Sequence, residues 1–124
     1  ARGEGPKVFY WKEKYFMIVD AWKGMEIYSS TDLLNWVKQA ERILEEPGNG
    51  KDDQAIGGHC DVLVQDDKAW VFYFTHPGRR KDKPAPAGSF ENKRSVIQVA
   101  ELEYKEGKIS CDRNRPVSLK LKRK

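Results

Sequence analysis

The sequence repeats itself at an offset of 54 residues, and no other feature restricts its fold as much. Gly3 meets Gly57, Val8 meets Val62, Lys14 meets Lys68, Phe16 meets Trp70 and Gly24 meets Gly78. In each copy, two runs rich in aromatic and β-branched residues flank a short polar turn. The first copy has 7–11 and 14–22 around KEK, and the second has 59–65 and 69–76 around DDK. Such pairs read as strands joined in hairpins. Residues 25–30 add a third strand to the first copy, while 35–44 reads as a fourth strand or a helical stretch. In the second copy, 95–104 and 108–112 are the third and fourth strands, and 116–122 alternates like one more. By composition 45–54 is a loop, and 77–93 is a long polar one.

About four antiparallel strands per copy is the arithmetic of a β-propeller blade. The sequence therefore predicts an all-β chain of about two antiparallel four-stranded blades. Residues 1–56 form the first blade with a trailing loop, and 57–124 the second with the basic loop 77–93 and a basic tail. Two tandem hairpin sheets, or a small sandwich, are the competing architectures. Propellers close with roughly four or more blades. The chain is then expected to be a piece of a longer protein or to assemble with copies of itself, and its abrupt start favours the first.

Net charge is +4, and much of the excess is local, in GRRKDK at 78–83 and KLKRK at 120–124. A charge run is ordinarily a solvated loop or tail. Binding of a polyanion is the sharper reading and predicts steep salt dependence. No apolar run approaches the ~20 residues needed to span a bilayer. Neither nucleic acid nor membrane is expected as a partner. Cys60 and Cys111 lie far apart, without metal-finger spacing, and read as free thiols, which leaves the compartment open.

Four positions stand out as candidates for chemistry. Glu4 lies between two glycines and ahead of Pro6. The glycines remove bulk and the proline restricts the backbone, which would aim one carboxylate from a tight strand entry. A surface-turn acid is the ordinary alternative. Asp20 interrupts an apolar run and shares a strand face with Phe16, Ile18 and Trp22. A buried carboxylate needs partners, so either Asp20 has one or the strand end reaches solvent with Trp22 in the core. Trp22 otherwise offers a flat face for a sugar ring. His59 opens the second copy at a place nearly equivalent to that of Glu4, offset by 55.

Three segments carry a family resemblance. GEGPKVFYWKEKYFMIV (3–19), IYSSTDLLNW (27–36) and GGHCDVLVQDDKAWVFYF (57–74) resemble, in order and spacing, motifs of family 43 glycoside hydrolases. The resemblance implies a five-bladed propeller with three acidic residues at its centre: a base, an acid-orienting residue and a general acid. Glu4 matches the general acid. The other two would come from blades before residue 1, making this the C-terminal portion. The implied activity is hydrolysis of glycosidic bonds, by inversion, in a plant- or glycan-derived oligosaccharide or polysaccharide. Asp20, Trp22, His59 and Arg94 are the expected substrate-binding residues, Arg94 by its place in the family's pocket. No cofactor is required. The resemblance allows a structural Ca2+ near the axis, with His59 close to it or bound through water. A non-catalytic carbohydrate-binding propeller is the alternative. Two departures from the family pattern are Cys60, where a small residue is usual, and the basic loop 77–93.

Overall fold

Alternating apolar residues and three tight turns build two antiparallel sheets. The computed structural model describes residues 2–123. The first sheet runs β1 (Glu4–Trp11), β2 (Lys14–Asp20), β3 (Met25–Ser30), β4 (Val37–Lys38), in that order. The second runs β5 (Gly58–Gln65), β6 (Lys68–Thr75), β7 (Val96–Lys105), β8 (Lys108–Cys111). The two all-β, four-stranded units expected from the repeat are present. Among the described residues helix is confined to the loop 77–93, as a 3-10 turn at Pro77–Arg79 and α1 at Phe90–Lys93. No helix among the described residues is long and apolar enough to cross a membrane.

The turns explain the register. Lys12 and Glu13 join β1 to β2, and Asp66 and Asp67 join β5 to β6, all with φ between 52° and 61°. Glu106 and Gly107 join β7 to β8 with φ of 52° and 79°. Positive φ at both central residues is the mark of the type I′ hairpin, whose twist matches that of the strands it joins. Two of these turns accept the left-handed conformation without a glycine.

The sheets pack face to face around one core. Phe9, Trp11, Phe16, Ile18 and Ile27 of the first sheet meet Val71, Tyr73, Ala100, Leu102 and Ile109 of the second. β1 lies beside β5, and Lys7 pairs with Asp61 across them at 2.6 Å. The Trp11 indole donates to the Asp67 carbonyl at 3.0 Å. The connecting segment is tied down by a buried pair, with the Arg113 guanidinium on Asp53, whose carboxylate also accepts from Tyr73 Oη at 3.0 Å.

Two expected strands change. Residues 35–44 supply only the two-residue β4 and an isolated bridge from Ile43 to Met25. The Asp32 side chain takes the backbone N–H groups of Leu34 and Asn35, which builds a side-chain-capped turn just before β4. Residues 116–122 form no strand. Their backbone bonds the Gln65 side chain, through the Lys120 carbonyl and the Lys122 N–H, instead of a neighbouring strand. The alternation survives as burial, with Val117 and Leu119 half-buried between exposed neighbours.

The repeat extends to an irregularity. Glu4 pairs with Asp20 and Lys7 with Ile18, so β1 carries one extra residue between them. Gly58 pairs with Phe74 and Asp61 with Phe72, the same bulge at the same place in β5. Bulges re-aim side chains at sheet rims. This alignment corrects the equivalence expected for His59. The counterpart of Glu4 is Gly58, and the counterpart of His59 is Gly5, both in left-handed backbone with φ of 30° and 55°.

Candidate active site

The paired bulges bring the heads of β1 and β5 together, and with them Glu4, Asp20 and His59. Asp20 closes β2 and is 5% exposed. One of its oxygens accepts the Trp22 backbone N–H at 2.8 Å, and the other accepts the His59 backbone N–H, also at 2.8 Å. Its buried charge is therefore met by two donors, one from its own turn and one from the other sheet. The first bond holds Trp22 at φ 60°, a conformation an aromatic residue adopts only under constraint.

That turn sets the indole. Trp22 is 54% exposed, and its Nε1–H donates to Glu4 Oε1 at 3.0 Å. The ordinary alternative for this pair is thus reversed: Asp20 is buried and partnered, while Trp22 lies at the surface. His59 Nδ1 stands 3.6 Å from the same Glu4 oxygen and 3.4 Å from Asp20. The imidazole lies against the backbone of Gly5, where an added Cβ would come within 3.0 Å of the ring. So Gly5 meets two needs, the left-handed bulge and the room for His59. Glu4 itself stays half-exposed, its carboxylate open on one side.

Arg94 lies one step further along the rim. The His59 ring packs on Phe74 at 5.9 Å, Phe74 meets His76 edge-on at 5.2 Å, and His76 Nδ1 is 3.0 Å from the Arg94 carbonyl. The Arg94 guanidinium turns to Asp52 and Glu91 at 2.8 and 2.7 Å, and holds both carboxyls below their ordinary range. Sequence reasoning missed Phe74 and His76. The signal was present, because Phe74 is the counterpart of Asp20 at the 54-residue offset.

Both thiols are free. Burial pushes Cys60 up to about 12, helped by the charges of Asp61 and Asp20, and burial pushes Cys111 to about 12 as well. Thiols held protonated at neutral pH are poor nucleophiles. As a cation site, Glu4, Asp20 and His59 offer one ligand atom each, all within 4.8 Å of one another. Ca2+ takes six to eight oxygen ligands, and both Asp20 oxygens already accept backbone N–H groups. These three residues alone do not fit a directly coordinated Ca2+.

No family model matches the chain, and no curated protein matches it. Solved structures do. A thermostable family-43 glycoside hydrolase is 17% identical, with a TM-score of 0.62 over 97% of this chain and 39% of that one. A family-43 β-1,3-galactosidase solved with galactodeoxynojirimycin is 14% identical, with a TM-score of 0.51 over 88% of this chain and 30% of its own. The chain thus has the fold of part of a family-43 glycoside hydrolase, and spans less than two-fifths of either structure.

Proposed function

We propose that this chain carries the general-acid side of an inverting glycoside hydrolase site, with Glu4 as the acid. The observation that carries the reading is the setting of Glu4. It is an open carboxylate on a rigid bulge, anchored at one oxygen by the Trp22 indole and flanked by His59. The fold shared with family-43 glycoside hydrolases supports it.

In an inverting reaction one carboxyl protonates the leaving glycosidic oxygen, while a second activates water on the other face of the sugar. The two stand roughly 6.5–9.5 Å apart. Asp20 is unsuited to that second role. A carboxylate oxygen of Asp20 lies within 4.8 Å of Glu4, the residue is buried, and both its oxygens are engaged. We assign Asp20 to positioning, and place the base on another sheet of a completed ring. Trp22 would stack a sugar ring, with His59 and Arg94 along the same rim. The chemistry calls for no cofactor. A structural Ca2+ beside His59 would need most of its oxygen ligands from water or from other sheets.

A carbohydrate-binding module without catalysis is the second reading, favoured by the absence of a free partner carboxylate opposite Glu4 among the described residues. The leaving-group dependence of Glu4→Gln separates the two, because only an acid responds to the leaving group.

A further inference from the structure

The basic loop 77–93 takes no part in the general-acid chemistry of Glu4. Its cations differ in how they are committed. Arg80 lies bidentate on Asp82 and Arg79 donates to the Asn92 carbonyl, and just past the loop Arg94 is shared by Asp52 and Glu91. Lys81, Lys83 and Lys93 are exposed, and no carboxylate pairs with any of them among the described residues. The same holds for Lys23, which follows Trp22 in the turn that places the indole.

Lys23 and Lys81 line the same groove, about 270 Å³ in volume, together with Trp22, Ile56 and Glu45. Glu45 faces Arg42 at 3.4 Å, so its charge is partly answered from outside the groove. The wall of the groove is the side chain that holds Glu4. An exposed indole and Ile56 suit the C–H face of a pyranose ring. Two uncommitted ammonium groups beside them suit a negative charge carried on that ring, within a Debye length of both.

We propose that this groove is a subsite for an acidic sugar, a hexuronate, whose ring lies on Trp22 and whose carboxylate faces Lys23 and Lys81. The proposal rests on the reading of Glu4 and Trp22 as a saccharide site, and gives that site a substrate class. It also gives Lys81, alone among the cations of the basic loop, a role in specificity.

The test is an NMR titration of the 124-residue chain with matched sugars. Methyl β-galacturonide is compared with methyl β-galactoside, and methyl β-glucuronide with methyl β-glucoside, following the indole N–H of Trp22. At low salt the uronate of a pair should bind more tightly by about 2–30-fold, the product of two exposed charge pairs. The gap should close in the Lys23→Gln/Lys81→Gln double variant, and shrink at high ionic strength. Equal binding within both pairs overturns the acidic subsite while leaving the saccharide site intact. So does a gap that survives the double variant. A preference for uronate that persists in Trp22→Ala, followed at the His59 amide, makes the loop a general polyanion patch and also overturns the subsite. Binding by none of the four sugars overturns the saccharide reading itself.

Discussion

Asp20 spans 39 residues of sequence to accept the His59 backbone N–H at 2.8 Å, joining the last residue of β2 to the head of β5. Its other oxygen fixes the turn of Trp22. One buried carboxylate thus holds both flanks of Glu4, and its substitution is the most direct test of the frame.

Asp20→Asn keeps the shape but replaces one acceptor with an N–H donor that faces a backbone N–H. We expect a loss of about 1–3 kcal/mol, read as a lowered urea midpoint at unchanged m-value. Hydrogen exchange at the His59 or Trp22 amide should accelerate together with it. A midpoint equal to wild type would mean that the two sheets hold the site without Asp20.

Glu4→Gln tests the acid, in a protein that contains the remaining sheets. A natural sugar leaves as a poorly stabilised alkoxide and needs a proton, whereas a nitrophenolate hardly does. We expect kcat/KM to fall about 10²–10⁴-fold on an oligosaccharide, and far less on an aryl glycoside. Equal losses on both would reassign Glu4 to substrate positioning. The 124-residue chain alone should show no turnover, since by this reading the base lies outside it.

Acid sensitivity should trace in part to Glu26. Its buried carboxylate takes Lys38 Nζ at 2.7 Å, the Tyr28 hydroxyl at 2.9 Å and Arg42 at 3.3 Å. The bond from Lys38 leads in holding its carboxyl below the ordinary 4.5, with Tyr28 and Arg42 adding to it against the cost of burial. A carboxyl lowered on folding stabilises the protein above its unfolded value, and that contribution is lost as pH falls through the folded one. Stability should therefore decline below about pH 4.5, and the decline should be shallower in Glu26→Gln. Identical pH profiles would remove Glu26 from the account.

The outer face of the first sheet should associate. Val8 and Met17 are the counterparts of Val62 and Val71, which pack in the core between the sheets, yet Val8 is 46% exposed and its neighbour Tyr10 56%. A face built for packing and left bare favours self-association. Sedimentation of the chain should show mass rising with concentration, and Tyr10→Lys should suppress it. A monomer at all concentrations would argue for an independent small fold.

The repeat was legible because its offset survives the hairpins and the bulge: both copies spend the same number of residues between Gly3 or Gly57 and the start of the second strand. The fourth strand of the first copy was not, because two residues of β4 leave no period to detect. The match of His59 to Glu4 missed by one residue, although both copies carry the same bulge and the 54-residue offset pairs Glu4 with Gly58 and Gly5 with His59. The reversal of Asp20 and Trp22 has a conformational cause. Strict alternation carries both onto one face, but the strand stops at Asp20 and the left-handed turn swings Trp22 out. The basic loop was plain in the composition, while its convergence with Lys23 required the fold.

The two copies are reciprocal at the heads of β1 and β5. Where the first carries Glu4 the second has Gly58, and where the second carries His59 the first has Gly5. A Cβ on Gly5 would crowd the His59 ring at 3.0 Å, and one on Gly58 would stand 3.2 Å from Asp20. Each duplicate thus vacates the volume that the other's chemistry fills. A consensus sequence averaged over the two halves would fold into the same sheets and erase the site, because the site consists of the places where the halves disagree.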